Sequence, residues 1–495
     1  MALNNSPGNR RFPLVVFVTV LALLLGLLIP IAPYWLSPII ILPVFLLFYF
    51  KSSIEIKIGH VAVEYLFPLY LGLSIVWPRY LAFKVGGPDM TPTRLVLALL
   101  LISWAMALVS AEYRHDFWNT LRKSKAYSAL LALYIVWRLL SAVFADSTPL
   151  LSIYYFVNEF VSALLVGFIM ICAVRTRDQL WRLLHILVLC TWVVLLVGTI
   201  EKIIHSNPFS HILLPGMHLS DEYLAQALMD KMRGGNYRLQ ATFAHPLLLV
   251  QYIAFALPLT AYVAIESRSS FYRTISWIAV PYLIATSLFT GSRSALVAIV
   301  VVLMMLALLY IYRTIHKRQL LLLATVVSFG LVISTLALFA VVTLTHFDMS
   351  YFTGRSLTEI QSSGARLKML QNGIPLVLNH PALGYGIGTA ATVLGFTGEQ
   401  NALTIDNFFL SLALESGFVG LLIYFVFAGV AILKGSRAGV NTESEIALLA
   451  NMAAISIVGM LAVQTILSLS YILPLFFLSA ALASRVCVLH MDSAA

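Results

Sequence analysis

An all-α polytopic membrane bundle is the fold class this sequence predicts. Three observations predict it. The chain is 60% hydrophobic and only 11% charged, against roughly 25% charge in soluble domains. Its apolar residues form repeated runs near the ~20 residues that span a bilayer. Its cations collect in alternate connections between those runs, the bias that fixes membrane orientation.

The runs begin near Leu14, Trp35, Val61, Arg94, Ala126, Leu151, Gln179, His245, Arg273, Ser292, Gln319, Asn407, Ser444 and Tyr471, which makes about 12–14 transmembrane helices. Leu14 to Pro30 follows Arg10 and Arg11 like a secretory leader. It is long and lacks a small-x-small cleavage site, so it reads as a retained first helix. No internal repeat or nucleotide-binding fingerprint is visible, so residues 1–495 read as a single membrane domain with short disordered tails, MALNNSPGNRR and HMDSAA.

Placing both termini in the cytoplasm puts most of the Lys and Arg residues on that side. The long connections Glu201–Ala244 and Thr345–Ile405 then face outward, which in a bacterial inner (plasma) membrane is the periplasm. The net charge of +10 and the pI of about 9.4 follow from this topology and call for no nucleic-acid partner. The basic stretch Arg114 to Lys125 reads as a solvated loop that touches anionic membrane lipid. Cys172, Cys190 and Cys487 fall in predicted helices and imply neither a disulfide framework nor a metal cluster.

Inside the first outer connection, Asp221 to Met232 predicts a short helix ended by Gly234 and Gly235. In the second, residues 345–405, the apolar spacing Leu367, Leu370, Ile374, Val377 predicts an amphipathic helix lying flat at the interface.

Arg293, in FTGSRSALVAIVVV, sits in a short outer connection where no cation is expected. Beside the free N–H groups of Thr290, Gly291 and Ser292, its guanidinium suits a phosphate clamp; the alternative is an Arg snorkelling to lipid phosphates. Arg366 is expected to open the interfacial helix after Gly364, where the helix dipole does not favour a cation. Arg238, in NYRLQATFAHP, has a comparable place just before a crossing.

Asp406 immediately precedes an apolar helix. Partial desolvation there suits a general base; the competing reading is an N-cap, a role Asn407 can share. His380 precedes Pro381 and the glycines Gly384, Gly386 and Gly388, which bend backbone or admit a ligand. Its imidazole is expected to satisfy turn carbonyls, and His245 reads the same way. Of the intramembrane charges Glu64, Arg138, Glu159 and Glu415, Arg138 and Glu159 are expected to pair. Glu415 with Gly417 and Gly420 reads as close helix packing.

Four segments in order, NYRLQATFAHPLLLVQYIAFALPL, FTGSRSALVAIVVV, ARLKMLQNGIPLVLNHPALGYGIG and IDNFFLSLALESGFVGLLIYF, resemble the O-antigen ligase and polymerase superfamily, the Wzy/WaaL-type membrane glycosyltransferases. The resemblance covers Tyr237 to Phe427. It implies periplasmic transfer of glycan from a polyprenyl-diphosphate-linked donor to a glycan acceptor, with no cofactor or essential metal.

By that resemblance, Arg238, Arg293 and Arg366 hold the lipid diphosphate. Asp406 deprotonates the acceptor hydroxyl for an inverting displacement. From their places within these motifs, Tyr237, His380, Gly384, Gly386 and Asn407 are expected to line the substrate path. Ligases of this superfamily carry a His-Asn motif where this chain has Asp406-Asn407, which points toward polymerases of O-antigen or exopolysaccharide repeat units, with a chain-length regulator as a possible partner. The alternatives are a ligase passing polysaccharide to lipid A core, a flippase or transporter of lipid-linked oligosaccharide, and a non-catalytic relative.

Overall fold

The computed structural model describes residues 57–83, 90–146, 148–211, 217–219, 232–233, 236–315, 357–397, 403–441, 445–468 and 471–484. They form an all-α polytopic bundle with two small β-pairings. The chain divides into two compact units, Met1–Asp116 with Leu213–Tyr223, and Phe117–Ile212 with Leu224–Ala495.

In the first unit, α1 (Lys57–Val76) packs on α2 (Pro92–Val109), and β1 (Leu81–Phe83) pairs antiparallel with β2 (Met217–Leu219). Helix α2 starts sharply because the Thr91 side chain accepts from Arg94 N at 3.2 Å and Pro92 occupies the first turn, where a missing N–H costs nothing. The expected basic loop is instead a helix, α3 (Ala111–Lys123), which begins in the first unit and continues into the second. Tyr113, Phe117 and Leu121, four apart, are buried along one side of it. The cations of the other faces hid that line from a reading by charge.

The second unit holds α4 (Lys125–Val143), α5 (Pro149–Glu159), a π-turn at Phe160–Leu164, α6 (Leu165–Ala173) and α7 (Arg177–Ile204). After the strands β3 (Met232–Arg233) and β4 (Asn236–Tyr237) come α8 (Pro246–Glu266), α9 (Ser270–Phe289), α10 (Arg293–Ile315), α11 (Leu357–Asn379), α12 (Ala390–Leu394), α13 (Phe408–Asn441), α14 (Glu445–Gln464) and α15 (Leu473–Ala483). Most of the helix expected at Asp221 to Met232 lies outside the described residues. Its last residue, Met232, pairs with Tyr237 in a hairpin.

Among the described residues, seven helices are long and apolar enough to cross a membrane, and three shorter apolar ones accompany them. The expected runs near Leu14, Trp35 and Gln319 lie outside the described residues. Every other predicted start falls within a few residues of the head of a described helix.

Helices α8 and α14 form the centre. Ser456 Oγ donates to Phe255 O at 2.9 Å. A Cβ on Gly459 would come within 2.6 Å of Val302 on α10 and 3.1 Å of Ala254 on α8, the close approach that small residues allow between membrane helices. Along α13 and α14, Gly435 meets Ala450 and Tyr424 meets Gln464. The order of contacts runs oppositely in α13 and α14, so the head of α13 shares one end with the tail of α14. Short turns reverse the chain between α8, α9 and α10, so the heads of α8 and α10 lie together.

One of these helices is broken. At Gly417, with φ 69° and ψ 179°, α13 leaves helical geometry, and the turn after α11 fills the break. Tyr385 N donates to Leu414 O at 2.8 Å, Gly386 N to Glu415 O at 3.1 Å, and Phe418 N to Pro381 O at 2.8 Å. Those bonds replace the ones a continuous helix would make, as an apolar surrounding requires. Gly417 was expected as a helix-packing contact; its role is this left-handed break, where a Cβ would sit 2.1 Å from Ala382 O.

Arg138 locks the break. It donates to Glu415 Oε2 at 2.9 Å and Ser416 Oγ at 2.7 Å, and it also pairs with Glu159. The expected Arg138–Glu159 pair is therefore present, with Glu415 as its third member.

Helix α11 packs on the first half of α13. Its buried line is Met369, Gly373 and Val377. Of the stripe expected at Leu367, Leu370, Ile374 and Val377, Ile374 is exposed. The pattern was displaced because Gly373, which has no side chain to count as apolar, seats Leu410.

Gly384 has φ 67° and would press a Cβ within 2.5 Å of the Glu415 carbonyl carbon. Gly384→Ala should cost on the order of 3 kcal/mol. Gly395→Ala, at φ 61° but in open space, should cost about 1 kcal/mol. Gly429→Ala, helical and unobstructed, should stabilise by roughly 0.5–1 kcal/mol. Thermal melts of the three purified variants check the ranking.

Candidate functional site

Asp406 and Asn407 divide the roles that the sequence left shared. Asn407 caps α13, its Oδ1 accepting from Leu410 N at 3.0 Å and its carbonyl from Ser411 N at 3.0 Å. Capping is thereby done without Asp406. The Asp406 carboxylate instead faces Arg366, with Oδ2 3.8 Å from Nε. Both line a crevice with Met369, Leu370, Asn407 and Thr465 that holds about 200 Å³ of unfilled space, part of it open to solvent.

Surrounding protein raises the Asp406 pKa above the ordinary carboxylate value, while the Arg366 charge and a hydrogen bond with Thr404 pull it back. The preceding backbone is fixed because Ser468 Oγ bonds to Ile405 O. Arg366 lies well inside α11, which begins at Leu357, and not in a first turn as expected. Gly364 is absorbed into the helix at a cost of about 1 kcal/mol. The dipole argument for Arg366 therefore lapses, and its pairing with Asp406 takes its place.

A second group forms at the turn between α9 and α10. Leu239 N donates to Phe289 O at 3.2 Å, and Arg238 Nε donates to Thr290 O at 3.2 Å. The Arg238 stem lies over Gly291, which has φ 61°. Arg293 is the first residue of α10; its side chain lies outside the described residues. Arg238 is thus docked on the turn that delivers Arg293. The structure brings Arg366 to Asp406 and Arg238 to this turn, as two separate groups.

Tyr237 is buried, and its hydroxyl donates to Glu201 Oε1 at 2.9 Å. Glu201 was not singled out by the sequence reading, which ended the preceding crossing there. Helix α7 runs on to Ile204, so Glu201 is a fully buried carboxylate on a helix of membrane-spanning length. An acid within an apolar run is the signal that would have found it. Lys202 Nζ beside it reaches Tyr237 O at 3.4 Å and lies 5.4 Å from the Phe289 ring centroid.

His380 does not serve turn carbonyls with its ring, as had been expected. Nδ1 lies 3.3 Å from Asp146 Oδ2, and the ring packs on Tyr385 at 4.3 Å. Asp146 follows α4 and so becomes a neighbour only through the tertiary fold. His380 also stands fourteen residues beyond Arg366, about 21 Å along the α11 direction. Gly384 and Gly386 lie against the broken helix and the α4–α5 connection. His245 caps α8, its Nδ1 accepting from Leu247 N at 3.1 Å.

Residues 278–425 match the family model described as O-antigen ligase. This span includes Arg293, Arg366, His380 and Asp406, with Tyr237 and Arg238 lying ahead of it. An O-antigen polymerase of Salmonella muenchen is 29% identical over 123 residues, covering 24% of this chain and 30% of that relative. The chain thus spans under a third of the relative's length in the alignment. The resemblance to the O-antigen ligase and polymerase superfamily stands on these two matches.

Asn407→Ala should lower stability by about 1 kcal/mol through the lost cap. Asp406→Asn should act oppositely at neutral pH. A raised folded-state pKa favours the protonated acid, so the stabilising contribution is present below the ordinary carboxylate value and lost as pH rises through the folded one. Thermal melts from acid to neutral pH should show D406N melting above the wild type near neutrality and the two converging in acid.

Proposed function

We propose, on the premise that this chain carries a segment of the O-antigen ligase and polymerase superfamily, that it is a metal-independent, inverting glycosyltransferase. It polymerises polysaccharide from a polyprenyl-diphosphate-linked glycan on the periplasmic side of a bacterial inner membrane, with both termini cytoplasmic. The observation that carries the reading is the Asp406–Arg366 pair in its crevice. The carboxylate is spared from capping, raised in basicity by burial, and opposed by a guanidinium.

In the proposed reaction, Asp406 takes the proton of an acceptor sugar hydroxyl. The hydroxyl oxygen bonds to the donor anomeric carbon from the face opposite the diphosphate, the C1–O bond to phosphate breaks, and polyprenyl diphosphate leaves with the electron pair, inverting C1. The arrangement parallels the base of an inverting glycosidase, with a sugar hydroxyl in place of water. Arg366, Arg238 and Arg293 stabilise charge growing on the leaving diphosphate. The docking of Arg238 on the turn that leads into Arg293 supports the joint use of these two cations on one donor.

A ligase that passes finished polysaccharide to lipid A core is the second reading, favoured by the description of the matching family. The similarity to an O-antigen polymerase favours polymerisation. Purified lipid-linked repeat units offered to the reconstituted protein distinguish them: a ladder of lengths supports polymerisation, and transfer only to an added core acceptor supports ligation.

Asp406→Asn should abolish transfer in that assay; full activity would remove the base. The wild-type rate should climb with pH through an acid limb above the ordinary carboxylate range, because Asp406 acts only when ionised. Arg366→Gln should displace the limb to still higher pH, since the cation that lowers the Asp406 pKa is gone. Arg293→Lys, which keeps charge but loses the bidentate fork, should reduce the rate roughly 10-fold or more; an unchanged rate would take Arg293 out of the clamp.

A further inference from the structure

Glu201 sits at the tail of α7, fully buried. Its carboxylate collects donors from one short stretch. Tyr237 Oη donates at 2.9 Å, Ala241 N donates to Oε2 at 2.5 Å, and Gln240 N lies 3.4 Å from Oε1 and 3.3 Å from Oε2. These donors lie on both sides of Arg238 in the chain. Leu239, the remaining residue of the stretch, would touch a Cβ on Gly198 of the same helix at 3.2 Å. Ala241 takes φ 52° within the clamp, a conformation that costs a non-glycine residue free energy unless its surroundings enforce it.

An ionised carboxylate is acceptor-only and therefore matches a surround made of donors. Burying an acid on an apolar helix is costly, and here three donors from the segment that presents Arg238 contribute to the compensation. We infer that Glu201 is the positioning residue for Arg238: it fixes the Tyr237–Ala241 segment so that the guanidinium docks on the Thr290–Gly291 turn beside the head of α10. The inference rests on the proposed function only for its kinetic consequence. The clamp itself is a matter of geometry.

The test uses the full chain in proteoliposomes with polyprenyl-diphosphate-linked repeat unit as donor. Glu201→Gln places an amide donor against other donors and should raise KM for the donor roughly tenfold. Tyr237→Phe removes one donor and should raise it roughly threefold. If Glu201 acts through Arg238, the double variant E201Q/R238A should be no worse than R238A alone, because coupled sites are non-additive. Losses that multiply, or a lower melting temperature with KM unchanged, would overturn the assignment.

A second arm needs no turnover. In an R238C background, E201Q should speed labelling by a membrane-impermeant maleimide, and Y237F should do so more weakly. An unchanged labelling rate would overturn the clamp. Should E201Q fail to fold, Y237F carries both arms. Should R238A leave transfer intact, the proposed role of Arg238 in donor binding falls, and labelling still decides whether Glu201 positions the segment.

Discussion

The contact on which the second unit most depends is the ion pair of Arg138 with Glu159 and Glu415. A lone guanidinium or carboxylate in an apolar interior is costly, and losing one partner of a buried pair typically costs about 3–5 kcal/mol. Here one cation serves two acids and a serine hydroxyl on three elements: α4, the end of α5, and α13 at its break. A fourth contact, Gly388 N to Glu415 Oε1 at 3.0 Å, attaches the glycine turn as well. The helix can therefore be interrupted at Gly417 without leaving its freed carbonyls stranded.

That splice organises what lies nearer the head of α13. The turn 381–388 is continuous with α11, and α11 carries Arg366. The helix it plugs begins at Phe408, two residues after Asp406. Met369, Gly373 and Val377 then close α11 onto Leu410, Ala413 and Leu414. Two side chains forty residues apart in sequence thus meet because their helices are joined twice, once by apolar packing and once through the backbone of the break. The Arg238 group is built on the same plan with other parts, since a buried acid on α7 disciplines the loop and the α9–α10 turn receives the guanidinium.

Much of this was legible in the chain. Helix starts could be read because about twenty apolar residues followed by Gly, Pro or charge leave few alternatives. Arg293, Arg366, Arg238 and Asp406 stood out as polar groups at crossings. What escaped needed the third dimension. Asp146 becomes a neighbour of His380 only when α4 meets the glycine turn, and Gly373 marks a buried face by having no side chain. Whether Asp406 or Asn407 caps α13 depended on backbone geometry that composition does not encode. Glu201 was missed because a helix end was drawn one turn early.

The break at Gly417 also bears on how the protein meets its bilayer. A long spanning helix normally answers changes in membrane thickness by tilting as a rod, and any pair of groups held between two such rods would shift with it. Here the head segment of α13 and α11 form one packed piece, and the break below it is pinned by Arg138 and by the bond from Phe418 N to Pro381 O. The spacing of acid and guanidinium is consequently set by local packing and backbone bonds, and not by the tilt of one continuous rod.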